Sequence, residues 1–270
     1  MKNTILTIFA IVSLSLNAQK IKIKGSDTVL PIAQKEAENY MKDNPGKIIS
    51  VVGGGSGIGI TALADKTTDI ASSSRKIRID EKLKFTSAGS SVKEVTIAFD
   101  ALSVVVNPSN KISQLTKEQL EKIYTGKISN WKELGGDDMK IVVYTRESSS
   151  GTYEFFKEKV LSGKNFASSA LSLPATGAIV QSIAQTKGAI GYIGIAYDTP
   201  SVKQIKVSFN KGKTFIAPSI ATAKDKTYPL TRPLFFYYSP KSEALVKGFI
   251  EYVLSKKGQD IVTKVGFVSL

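Results

Sequence analysis

The chain has 270 residues, a formal net charge of +14 and 42% hydrophobic residues, enough for one large domain or two modest ones with their own cores. It contains no cysteine and no histidine, which excludes disulfides, thiolate chemistry, a lipid anchor on cysteine, Ser-His nucleophilic pairs and His-based metal sites. Its positive field suits anions, but the lysines form no dense basic block and no aromatic interleaving, so nucleic acid is not an expected partner.

Lys2, the apolar run Ile5 to Leu16 and the small-residue end Asn17-Ala18-Gln19 follow the order of a secretory signal peptide, and the run falls short of the roughly 20 residues that cross a bilayer. Cleavage is expected near Ala18 or Gln19, so residues 1–18 are set aside as a leader. Without a cysteine to carry lipid, the expected address is the periplasm.

Beyond the leader, Ile21-Lys22-Ile23-Lys24 alternates as a half-buried strand does and breaks at Gly25-Ser26-Asp27-Thr28. Val29 to Lys42 reads as a helix, with Pro31 in its first turn and Asn44-Pro45-Gly46 as its stop. The pattern repeats in the strand Ile48 to Val52, the glycine-rich turn Gly53 to Gly57 and a short helix from Ile58 to Ala64. Glycine allows close backbone approach to a ligand, although a tight strand-to-helix turn needs no ligand to explain it. A third instance runs from Asp69-Ile70-Ala71 into Ser72-Ser73-Ser74-Arg75, with a solvated loop and an outward Arg75 as the plain alternative.

Two catalytic motifs are missed. Gly54-Gly55-Ser56-Gly57-Ile58 departs from the G-x-S-x-G elbow at its last position, and no G-x-x-x-x-G-K-[ST] phosphate loop occurs. Together with the missing histidine, this disfavours hydrolase chemistry.

Val95 to Val106 is long for one strand, and Asp100 interrupts its apolar run. A carboxylate there needs a partner; it faces a hinge or cleft, or it caps a turn. Further on, the strand Ile141 to Tyr144 opens into Arg146-Glu147-Ser148-Ser149-Ser150-Gly151-Thr152, and a helix follows from Tyr153 to Leu161. Unpaired amides at a helix start, serine and threonine hydroxyls and a planar guanidinium together make an oxyanion socket. The alternative is ordinary N-capping by Ser148 to Ser150 with Arg146 solvated.

Gly188 to Gly194 reads as an inner strand, and residues 199–228 as peripheral strands and loops. Arg232 sits between Pro229 and Pro233, before the strand Phe235 to Tyr238, and a hinge or surface role is expected for it. From Ser242, taken as the N-cap, Leu245, Val246, Phe249, Ile250, Val253 and Leu254 form one amphipathic face, and a last helix is expected near Gln259 to Lys264.

Four segments taken together, Gly25 to Pro31, Gly53 to Gly59, Asp69 to Arg75 and Arg146 to Thr152, resemble the phosphate loops of the PstS family, the phosphate-binding proteins of ABC importers. A further family mark is Leu115-Thr116-Lys117-Glu118-Gln119-Leu120 through Ile123-Tyr124-Thr125-Gly126 to Trp131. Thr116 and Gln119 there form a capping box, Gly126 ends the helix, and Trp131 is expected to be packed.

The resemblance implies an α/β, two-lobe class II periplasmic-binding-protein fold, each lobe a mixed, mostly parallel sheet flanked by helices, with two hinge crossovers. Residues 19–98 and 230–270 would form lobe one, and 99–229 lobe two. Carried onto matching positions, Thr28, Val29, Ser56, Ser74, Arg146, Ser150, Gly151 and Thr152 would surround inorganic phosphate. Ser26, Asp27, Arg75 and Asp100 are further candidates, the two aspartates as acceptors for the phosphate proton. Some members of the family place an aspartate where this chain has Ser74, which bears on the choice between phosphate and sulfate. No cofactor or metal is implied; the expected partners are phosphate and a membrane permease, and the expected state is a monomer. The alternatives are another tetrahedral oxyanion such as sulfate, or a phosphatase built on the same fold.

Overall fold

The computed structural model describes residues 20–270; the expected signal peptide lies outside the described residues. In strand β1 (Lys20–Gly25), Ile21 and Ile23 turn inward while Lys20 and Lys22 face solvent, as the alternation predicts. Helix α1 (Leu30–Asp43) lays Ile32, Ala33, Ala37 and Tyr40 on the sheet, with Pro31 at a position where its missing N–H costs nothing. Strands β2 (Ile48–Val52) and β3 (Ile70–Ser73) flank β1, both parallel to it, and alternate with α2 (Ser56–Ala64) and α3 (Ile79–Ser87). Helix α2 begins two residues earlier than its apolar pattern suggests, because Gly55 at φ 104° turns the chain straight into it.

Strand β4 (Lys93–Val106) is a single 14-residue strand. Then come β5 (Gln114–Thr116), α4 (Lys117–Tyr124), β6 (Val142–Arg146), α5 (Gly151–Lys159), β7 (Leu171–Leu173), α6 (Thr176–Gln185) and β8 (Ala189–Gly194). Short peripheral pieces follow, β9 (Lys203–Gln204), β10 (Lys206–Ser208) and α7 (Ile220–Lys224), before β11 (Thr231–Tyr238), α8 (Glu243–Leu254) and α9 (Lys256–Val265).

The main sheet runs β2-β1-β3-β11-β4-β8-β6-β7, with β9 also on β4; β5 and β10 pair separately. Strand β4 is shared. Its first part, Lys93 to Ala101, pairs antiparallel with β11, and its second, Leu102 to Val106, pairs antiparallel with β8. The two lobes therefore meet along one extended strand and the start of another. Each lobe has its own apolar core, one around Ile32, Phe236 and Phe249, the other around Trp131, Phe156 and Tyr192. Burying a side chain of this size contributes about 1.5–3 kcal/mol.

Local details follow the chemistry of the sequence. Thr116 and Gln119 form the expected capping box at 3.2 and 2.8 Å, Gly126 takes φ 80° just past α4, and Trp131 is 1% exposed with its indole donating to the Gly188 carbonyl at 2.9 Å. Ser242 is the exception. It already has helical dihedrals at the end of a 3₁₀ turn and makes no cap bond, whereas Ser239 accepts from the Lys241 amide.

Candidate functional site

The loops after β1, β2, β3 and β6 all leave the carboxyl ends of parallel strands, where backbone amides and helix starts gather. Within lobe one they are fitted tightly: Gly25, at φ 147°, lies where a Cβ would stand 2.1 Å from the Ser72 carbonyl oxygen. Across the cleft the lobes touch. Thr28 Oγ1 is 2.8 Å from Thr152 Oγ1, the Gly57 amide donates to the Ser149 carbonyl at 2.9 Å, and a Cβ on Gly151 would fall 2.4 Å from Ser56 Oγ and 2.8 Å from Ser74 Oγ. Thr28, Ser56, Ser74, Ser150, Gly151 and Thr152 are thus brought together, all buried.

The polarity of several hydroxyls is set by their neighbours. Ser150 caps α5, its Oγ accepting from the amides of Thr152 and Tyr153. Ser56 Oγ accepts from the Ser74 amide at 3.1 Å. With lone pairs spent on N–H donors, these hydroxyls keep their protons for donation to an acceptor. The helix start at Gly151 adds amides without intrahelical partners and a partial positive charge.

Arg146 is 2% exposed, not solvated. Its Nη1 donates to Thr176 Oγ1, its Nη2 to the Pro174 carbonyl and to Asp27 Oδ2, each at 2.7 Å, and its Nε to the Leu173 carbonyl at 3.3 Å. The guanidinium is held rigidly, with most of its N–H groups committed among the described residues. Asp27 ties the lobes, since its Oδ1 accepts from the Gly54 amide at 3.1 Å while Oδ2 meets Arg146.

Ser26 and Val29 shape the first turn. The Val29 amide donates to the Ser26 carbonyl at 3.2 Å and lies 3.4 Å from Ser26 Oγ, and the Ser26 amide is held by the Ser72 carbonyl. Arg75 does not point outward: it is 8% exposed, makes a two-pronged pair with Glu81 at 2.6 and 2.7 Å, and places Nε 2.7 Å from Glu154 Oε2 in lobe two. Arg78 Nη1 joins Glu154 Oε1 at 2.7 Å. Burial raises the Glu154 carboxyl against the pull of both arginines; burial also works to raise Glu81, but hydrogen bonds from Arg75 and the Arg78 amide outweigh it and hold Glu81 low.

Arg232 lies much nearer the site than its position between prolines suggests. The surface reading is overturned by its 2% exposure, while the hinge reading agrees with its place opposite Asp100 where β11 meets β4. Its Nε and Nη2 donate to Asp100 Oδ2 at 3.1 and 2.8 Å, and Nη2 also reaches Thr152 Oγ1 at 3.0 Å and Thr28 Oγ1 at 3.5 Å. Asp100, fully buried, accepts the Ile195 amide on Oδ1. Burial pushes its carboxyl up, opposed by Arg232. The signal that could have found Arg232 was Asp100 itself: a carboxylate in an apolar strand requires a cation, and Arg232 is the one cation between Tyr228 and Leu234.

A family model described as the PBP superfamily domain matches residues 13–257. The phosphate-binding protein PstS of Staphylococcus haemolyticus is 37% identical over 247 residues, covering 88% of this chain and 77% of that protein. The chain belongs to the PstS family. Among solved structures, a candidate phosphate ABC transporter substrate-binding protein with bound phosphate from Clostridium perfringens is 33% identical with a TM-score of 0.85, over 93% of this chain and 99% of that one. An ABC-type phosphate transport receptor from Vibrio cholerae is 32% identical with a TM-score of 0.74, over 93% and 100%. The chain thus has the two-lobe class II binding-protein fold. PstS proteins are extracytoplasmic binding proteins, not an enzyme family. Among the described residues no helix is long and apolar enough to cross a membrane, and no group of three acidic side chains is placed to hold a metal ion.

Proposed function

We propose that this protein captures inorganic phosphate between its two lobes, outside the cytoplasm, and delivers it to the membrane permease of an ABC importer. The observation that carries the reading is the meeting of Thr28, Ser56 and Ser74 from one lobe with Ser150, Gly151 and Thr152 from the other, buried and in mutual contact. Its PstS relatives and a phosphate-bound neighbour supply the ligand class.

In this reading lobe one, residues 19–98 and 230–270, gives the hydroxyls of Thr28, Ser56 and Ser74 and the Thr28 backbone, while the Val29 amide, expected to contact the anion, is held by Ser26 and shapes the turn. Lobe two, residues 99–229, gives Arg146, the Ser150 and Thr152 hydroxyls and the Gly151 amide. Neither half surrounds a tetrahedral anion alone, so phosphate binds the closed arrangement better than the open one, and that difference drives closure. Asp27 and Arg75 link the lobes, Ser26 shapes the first loop and Asp100 anchors the hinge. The protein works as a monomer, directed to the periplasm by the signal peptide in residues 1–18, and it releases phosphate unchanged.

Phosphate uptake by cells lacking this protein, complemented with the wild type or with Arg146→Met, tests the reading. Wild type restores uptake and the variant does not; uptake unaffected by the deletion would remove the transport role.

A further inference from the structure

Arg232 is bound to the hinge by Asp100, and a buried ion pair at a hinge ordinarily needs no explanation beyond itself. The geometry goes further. Both bonds of the pair fall on one carboxylate oxygen, Oδ2, through Nε and Nη2, and the remaining Nη2 donor is directed at Thr152 Oγ1 with Thr28 Oγ1 close by. Nη1 is buried with no hydrogen-bond acceptor among the described residues. A donor-only group left unpaired in the interior is costly, and a hinge staple has no use for that cost.

Thr28 and Thr152 come from opposite lobes, and their hydroxyls lie 2.8 Å apart. A guanidinium can only donate. Where Nη2 donates to these oxygens, one hydroxyl proton bridges the pair and the other is left for an acceptor in front of them. Arg146 is differently placed: it is paired with Asp27 and engaged by Thr176, Pro174 and Leu173, which leaves one Nη1 hydrogen of its fork for the anion and room for a second arginine. The ring of Phe155, 5.2 Å from Arg232 Cζ, covers the guanidinium and lowers the local dielectric.

Resting on the phosphate reading above, we propose that Arg232 is a second arginine of the anion site, which turns one proton of the Thr28–Thr152 pair toward the anion and holds Nη1 for an anion oxygen. Asp100 keeps the guanidinium in place. The closing of Thr152 onto Thr28 thereby completes a donor set that neither lobe possesses alone.

Calorimetric titration with inorganic phosphate tests this on wild type, Arg232→Gln, Arg232→Lys, Thr152→Val, the double variant R232Q/T152V and the charge-neutral double variant D100N/R232Q. Arg232→Gln is expected to lose about 100-fold in affinity, and R232Q/T152V no more than about threefold beyond the larger single loss, because the Thr152 hydroxyl acts through Arg232. Arg232→Lys, which keeps charge without the fork, should recover part of the loss. D100N/R232Q leaves no buried charge unpaired, so it reports on the anion site even if Arg232→Gln alone folds poorly. A staple predicts that D100N/R232Q binds phosphate like wild type, whereas the proposal predicts that it stays about 100-fold weaker. Affinity of D100N/R232Q within about threefold of wild type, or losses for R232Q and T152V that simply multiply, would overturn the role of Arg232. Wild type silent toward phosphate would instead remove the phosphate reading, and this inference with it.

Discussion

Arg146 of lobe two and Asp27 of lobe one are joined across the cleft at 2.7 Å, and both side chains are largely withdrawn from water, at 2% and 12% exposure. Removing one partner of such a pair leaves a charge facing the site. Arg146→Met should therefore cost about 3–5 kcal/mol of phosphate binding, on the order of a thousandfold. In D27N/R146M the exposed carboxylate is gone as well, so part of the affinity should return. Calorimetry on the two variants checks the order; a double variant weaker than the single one would mean that Asp27 serves the anion by another route.

Glu154, in the first turn of α5, meets Arg75 and Arg78 of lobe one at 2.7 Å each. These ion pairs close the rim of the cleft and have no counterpart once the lobes part. Glu154→Gln should widen the ligand-free protein in small-angle scattering and weaken phosphate binding by about 1–2 kcal/mol. An unchanged scattering profile with unchanged affinity would show that the rim pairs form without holding the lobes.

Ser74 is fully buried beside Ser56, its amide donating to Ser56 Oγ while its own hydroxyl, 3.5 Å from that oxygen, can donate or accept. A hydroxyl does not repel a fully deprotonated anion as a carboxylate does. Competition between phosphate and sulfate should show discrimination well below the roughly 10⁴ that an unpaired buried group can impose, and Ser74→Asp should widen it. Strong rejection of sulfate by the wild type would transfer the acceptor role to Asp27 or Asp100.

Away from the cleft, Glu36 on α1 is fully buried, neither carboxylate oxygen has a partner among the described residues, and burial lifts its pKa from 4.5 to about 8. Between those values the native state keeps a proton that the unfolded chain has released. Stability contributed by this group is complete below about pH 4.5 and falls by up to about 1.4 kcal/mol per unit as pH rises toward 8, then levels. Urea unfolding from pH 5 to 9 should show that decline in the wild type and a flatter curve in Glu36→Gln. Parallel curves would place the pH dependence elsewhere.

Much of this was readable from local chemistry. The alternation of Ile21 and Ile23, the Thr116–Gln119 capping box and the hydroxyl loops at strand ends act over a few residues, and each formed as expected. What could not be read were charge partners distant in sequence. Arg75 finds Glu154 and Arg146 finds Asp27 across the cleft, and Arg232 finds Asp100 across neighbouring strands, so the alternatives that left Arg75, Arg146 or Arg232 in solvent fall. Ser150 shows that two readings can coincide: it is an ordinary N-cap, and that bond is what orients its proton toward the cleft.

Calorimetric titration of the ligand-stripped wild-type protein with inorganic phosphate, repeated on Arg146→Met, tests the central claim most directly. The structure predicts tight binding of one phosphate per chain that is lost in the variant. Absence of heat with the wild type, or equal binding by both proteins, would contradict capture of the anion between the lobes.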